Sequence, residues 1–133
     1  MTAKQASVES RQNVLLIEIS VANLIEALPD ALLVIEETGT VCLANAQAEW
    51  LFGRPRAELV GMNLEKLMPE RFRRKHMVQR ADYVNNPAGR SMGHEKMPLL
   101  ALNRTGAEIP VSIALAPLMT ASGMFVIAVI RRT

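Results

Sequence analysis

From Ile109 to Leu115 the chain alternates strictly, with Ile109, Val111, Ile113 and Leu115 set against Pro110, Ser112 and Ala114. A period of two does not fit one face of a helix and predicts a strand with one side buried. Ala121-Ser122-Gly123 is a turn signal, and Met124 to Ile130 follows as a last strand that is apolar on nearly both faces. Upstream, Met97 to Leu102 leads into Asn103-Arg104-Thr105-Gly106, a hairpin turn. The C-terminal part of the chain is therefore sheet.

The N-terminal half carries helical spacing and dense punctuation. Val14, Ile17, Val21, Leu24 and Leu28 recur at intervals of three and four, a heptad seam that predicts one helix ended by Pro29. Leu15, Leu16, Ile19 and Ile25 widen the stripe. Such a helix can pack on its own domain, pair with a second copy, or do both, and a homodimer through residues 14–28 is expected. Residues 1–19 are read as a frayed polar tail and the start of this flanking helix, with the domain proper over 20–133. Ala31 to Glu36 and Val41 to Ala44, joined by Glu37-Thr38-Gly39-Thr40, predict a hairpin. Asn45 is placed to cap a helix over Ala46 to Phe52, ended by Gly53. Pro55, Gly61 and Pro69 punctuate two short helices, around Ala57 to Val60 and Leu64 to Met68.

A longer helix opens at Pro69, runs to Tyr83 and is closed by Asn85-Asn86-Pro87-Ala88-Gly89. At about 100° per residue, Phe72, His76, Gln79 and Tyr83 fall on one of its faces, and Arg71, Arg73 and Arg74 splay away from it. Two strands, several short helices and three strands make an α+β fold: an antiparallel sheet of about five strands, helices on one side, and a flanking N-terminal helix.

Composition removes several function classes. A chain of 133 residues fits one domain, and 50% apolar against 21% charged residues is a globular balance. A net charge of +2 gives no general attraction to nucleic acid. The basic run Arg71 to Lys75 has no interleaved aromatic platform, so it reads as a solvated helix face. The single cysteine, Cys42, excludes an internal disulfide and suits a reducing cytoplasm; it reads as a small buried hydrophobe. No secretory signal is visible, and Met124 to Ile130 is far short of the roughly 20 residues of a spanning helix, so no direct membrane insertion is expected. A cytoplasmic protein, or the cytoplasmic part of a larger membrane-bound protein, fits. Two histidines and one cysteine, widely spaced, do not make a zinc site. Ser91 and His94 are only sequence neighbours, no glycine-rich phosphate loop occurs, and catalysis by the isolated domain is not expected. The eight methionines can fill core gaps or line an adaptable pocket.

The ordered segments resemble a PAS domain. Leu28-Pro29-Asp30-Ala31-Leu32-Leu33-Val34-Ile35 is similar to that family's opening strand, and Asn45-Ala46-Gln47-Ala48-Glu49-Trp50-Leu51-Phe52-Gly53 to its N-x-A-x-E-x-L-F-G helix. Glu58-Leu59-Val60-Gly61, Leu67-Met68-Pro69-Glu70-Arg71 and Asn103-Arg104-Thr105-Gly106-Ala107-Glu108-Ile109-Pro110-Val111 resemble the segments that follow, from about Ser20 to the C-terminus. Thr105 stands where the family usually has Asp, which alters turn hydrogen bonding. Arg131-Arg132-Thr133 stands where an Asp-x-Thr relay motif is common, which points to a fragment lacking its output domain. The resemblance implies a sensory module that binds an unidentified small molecule or mediates dimerisation. It would be the input part of a histidine kinase or cyclic-dinucleotide signalling protein.

It also sharpens His76. Haem-binding PAS domains of oxygen-sensor kinases are similar here, with a proximal histidine in an R-x-H run seventeen positions before a glycine; His76 precedes Gly93 by that interval. Iron needs a neutral imidazole on an inward face and an apolar pocket, for which Phe72, Tyr83, Ile113 and Leu115 would be walls. Lys96 falls at or near the place of a gas-stabilising arginine but lacks its fork. His94, just after the glycine, falls where a related redox sensor has its second axial ligand. The alternative is a histidine bonded to a backbone carbonyl, supporting its helix, and that reading leads. A flavin photoreceptor needs a reactive cysteine in an N-C-R-F-type helix; Cys42 is in a predicted strand, so flavin is not expected.

Overall fold

The computed structural model describes residues 2–18, 20–92 and 99–133. Its centre is one antiparallel sheet. β1 (Ala31–Glu36) lies between β2 (Val41–Ala44) and β6 (Gly123–Arg132), and β5 (Glu108–Thr120) flanks β6 on the other side. The free side of β5 is shared by two short strands: β3 (Arg90–Met92) opposite residues 113–115, and β4 (Leu99–Leu102) opposite residues 108–111. Among the described residues, six strands thus occupy five positions.

The alternation that starts at Ile109 decides which face is filled. Ile113 lies opposite Ile130 and Leu115 opposite Ala128, while Leu33 and Ile35 of β1 lie opposite Ala128 and Val126. Directly opposed residues share a face, so these side chains form one apolar inner surface. Leu33, Ile35, Val111, Ala128 and Ile130 are buried in the main core with Leu51, Phe52, Leu59 and Leu67 from the helical side.

The helical side runs α3 (Ala46–Phe52), α4 (Arg56–Leu59), a 3-10 turn (Leu64–Leu67) and α5 (Glu70–Asn85). Asn45 caps α3 through Oδ1, which accepts from Ala48 N at 3.0 Å and also from Leu32 N at 2.9 Å. Its Nδ2 donates to the carbonyls of Ile25 and Asp30 at 3.1 and 3.0 Å. Fully buried, this one amide joins the flanking helix, β1 and α3. Gly53 ends α3 in the left-handed region at φ 63°. Beyond α4, Val41 N donates to Met62 O (2.9 Å) and Gly61 N to Val41 O (2.7 Å). These bonds cover the outer edge of β2 and bring the 3-10 turn beneath the β1–β2 hairpin.

The structure departs from the sequence-based expectations in two places. The N-terminal heptad is not one helix: α1 (Ala3–Glu18) and α2 (Val21–Ala27) are separate. Ser20 is extended (φ −75°, ψ 148°), and its Oγ accepts from Asn23 N at 3.1 Å, so it caps a new helix inside the apolar repeat. The tail expected to fray begins helical at Ala3, and Leu28 is extended, as a residue before proline tends to be. The second departure is β3, directly after the Pro87–Gly89 breakers. Its three residues carry too little pattern to register as a strand, and it is defined by its pairing with β5. Of the strand expected from Met97, Met97 and Pro98 lie outside the described residues.

Candidate ligand cavity

α5 crosses above the inner face of the sheet, and Pro69, extended at its N-cap, sets where it begins. Between helix and sheet lies a cavity of about 380 Å³. Phe72, His76, Gln79 and Tyr83, the four residues grouped on one face by helical period, all line it. Ile113 and Leu115 line it from β5, with Leu33, Val126, Ala128 and Ile130 beside them and Phe52, Leu64, Leu67 and Met68 from the other helical elements. Of the anticipated site residues, Phe72, His76, Tyr83, Ile113 and Leu115 therefore converge on one cavity. His94 and Lys96, with Gly93, lie outside the described residues. Phe72 remains 43% exposed and stands at the rim, with the Arg71 guanidinium 4.6 Å from its ring centre. Tyr83 is buried and packs with Met124, Val126, Val84 and Leu115.

The polar part of the wall comes almost wholly from α5: Lys75, His76, Gln79 and Arg80. Behind it sits a carboxylate that sequence reasoning missed. Glu65, in the 3-10 turn, has a side chain only 5% exposed. Its Oε1 accepts from Arg80 Nε at 2.9 Å and lies 2.8 Å from Nη2; His76 Nδ1 is 3.9 Å from the same oxygen. Oε2 is buried with no hydrogen-bond partner among the described residues. Arg80 Nη1 donates to the carbonyl of Glu37 at 2.8 Å, so one guanidinium links α5, the 3-10 turn and the β1–β2 hairpin. Gly39 makes that approach feasible. Its φ is +90°, and an added Cβ would sit 2.8 Å from Arg80 Cζ. The signal for Arg80 was present in the chain: it lies one helical turn beyond His76, on the same stripe.

Two expectations about polar residues need correction. The arginines after Pro69 are not a merely solvated face. Arg71 makes a two-pronged contact with Glu108 of β5 at 2.6 and 2.7 Å, and Arg73 Nε donates to Met68 O at 3.2 Å. The Arg71 guanidinium holds the Glu108 carboxyl below its ordinary range. Cys42 is in β2, as expected, but half-buried rather than buried. Desolvation, with the Glu36 carboxylate next in effect, pushes its thiol up to about 11, so it stays protonated and a poor nucleophile at neutral pH.

Among the described residues, no group of three or more His, Cys, Asp or Glu is placed to hold a metal ion. No helix among them is long and apolar enough to cross a membrane. A five-position antiparallel sheet, with short helices packed on its inner face and α5 closing a cavity over it, defines an α+β domain. The family model described as the PAS fold matches residues 20–132, and the chain belongs to that family. Sensor protein FixL of Bradyrhizobium diazoefficiens is 37% identical over 59 residues, 44% of this chain but 12% of that protein's length. Among solved structures, the PAS domain of a Desulfitobacterium hafniense protein superposes with a TM-score of 0.72 at 19% identity, covering 84% of this chain and 99% of that one. The PAS domain of an HTR-like protein from Haloarcula marismortui gives 0.71 at 18% identity, with 98% of each chain covered.

Proposed function

We propose that this PAS domain is the sensory input of a signalling protein and takes a small molecule into the cavity between α5 and the sheet. The observation that carries this reading is the cavity itself. At about 380 Å³ it lies near the lower end of the roughly 300–1,000 Å³ typical of small-molecule sites, and it has an apolar sheet wall and a polar helix wall. Occupancy changes the packing of α5 on the sheet, and the flanking helices carry the change to an attached or partner output domain. The size of that response is bounded by the ligand's differential affinity for the two states. The output is of the histidine-kinase or cyclic-dinucleotide type, a reading that the similarity to a sensor protein supports. The chain is cytoplasmic, does no chemistry of its own and forms a homodimer through residues 14–28.

A second reading, a haem redox or gas sensor, is favoured by one observation: His76 is on the cavity wall with Nδ1 turned toward Glu65. A carboxylate behind a histidine is the usual support of a metal-bound imidazole. His76 would then be the axial ligand, with Phe72, Tyr83, Ile113 and Leu115 against the porphyrin, whose iron supplies gas binding or a redox change. The modest cavity favours the smaller ligand. Absorption spectroscopy separates the two readings. The purified chain is expected to be colourless and to develop no protein-bound Soret band when haemin is added. A Soret band that vanishes in His76→Ala would overturn the small-molecule reading in favour of haem.

A further inference from the structure

Charge around the cavity is one-sided. Glu65 is committed to Arg80 through Oε1, so those two formal charges offset each other. Glu36 borders the cavity as well, but strand alternation turns its side chain away. Its neighbour Ile35 is in the core, and the Glu36 carboxylate accepts from Thr38 Oγ1 at 3.4 Å and acts on the Cys42 thiol. Lys75, on the rim of the cavity, makes no ion pair among the described residues. One turn of helix separates it from Gln79, an amide donor on the same wall. A molecule entering the cavity therefore meets apolar side chains along the sheet and an uncompensated ammonium beside an amide and an imidazole at the helix.

We propose that the cavity selects an amphiphilic monocarboxylate, with its hydrocarbon body against Ile113, Leu115, Ala128 and Ile130 and its carboxylate paired with Lys75. This deepens the small-molecule reading and rests on it. A cationic head would face the Lys75 ammonium, while the nearby carboxylates are already engaged, Glu65 with Arg80 and Glu36 with Thr38. A neutral head would forgo the charge-assisted bond, which is stronger than a neutral one by roughly a factor of two. At neutral pH an alkyl carboxylic acid is ionised, so the head carries its full charge.

Isothermal titration of the purified chain with decanoate, decanol and decylamine, each below its micelle-forming concentration, tests this. Decanoate is expected to bind about tenfold tighter than decanol and tighter still than decylamine, with the margin shrinking as salt is raised. Lys75 is exposed, so Lys75→Gln should fold normally. It should bring decanoate to the level of decanol, and Lys75→Glu should reverse the order in favour of decylamine. A preference for decanoate that survives Lys75→Gln would overturn the assignment. Equal binding of all three probes would overturn selection for acids and leave the cavity reading standing. Binding of none would remove the cavity reading, and this inference with it.

Discussion

Arg80 ties α5 to both the 3-10 turn and the β1–β2 hairpin through one side chain. It neutralises a carboxylate that burial would otherwise make unfavourable, and its remaining arm holds the β1–β2 turn. Removing one partner of a buried pair leaves the other charge without compensation. Arg80→Leu is therefore expected to destabilise the domain by about 3 kcal/mol. Glu65→Leu with Arg80→Leu should cost less than the two single changes summed, because neither charge is then stranded. Urea denaturation of the four proteins checks this, and a single-mutant loss under about 1 kcal/mol would show that the pair is effectively solvated. At this scale the sequence was half legible. Helical period found His76 and its stripe, because the period follows from backbone geometry alone. It did not find Glu65, whose importance arises from a contact across fifteen positions and a proline.

Among the elements, the strands and the break between α1 and α2 teach opposite lessons. The β5–β6 hairpin was readable because alternation and a turn signal agree, and the Asn103–Gly106 turn because its hydrogen bonds are local: Thr105 N and Oγ1 both donate to Asn103 Oδ1. Apolar periodicity predicts one continuous N-terminal helix because it passes through Ser20 unchanged. A capping serine resets the backbone without disturbing the spacing. The break changes how a dimer would form. Val8, Val14 and Leu15 on α1 and Val21 and Leu24 on α2 are all at least half exposed, on two separate rods rather than one. A chain beginning at Ser20 lacks the first rod and should be monomeric by light scattering at concentrations where the full chain is dimeric. An unchanged dimer would move the interface elsewhere.

The whole molecule is a sheet whose inner face is covered unevenly. The short helices pack the main core against β1 and β2, while α5 stands across a cavity whose floor runs from Leu33 and Ile35 of β1 to Ile113 and Leu115 of β5. Residue pattern alone does not show that gap; only the family resemblance implies a pocket there, with Phe72, Tyr83, Ile113 and Leu115 as its walls. Each wall residue has an ordinary reason to be apolar, and whether apolar surfaces meet or stand apart is set by how the chain places α5. The fold class, by contrast, was readable from the order of strands, breakers and helices, because each boundary carries its own local signal. The account's central claim is that a small molecule occupies this gap. Methyl-detected NMR during a decanoate titration tests it most directly, because inner-face and outer-face methyls of the same strands report separately. The prediction is saturable shifts at Leu33, Ile113, Leu115, Ala128 and Ile130, with Leu32, Val34 and Ile127 on the opposite face unmoved. Shifts confined to Leu32, Val34, Ile127 or the α1 stripe would contradict it.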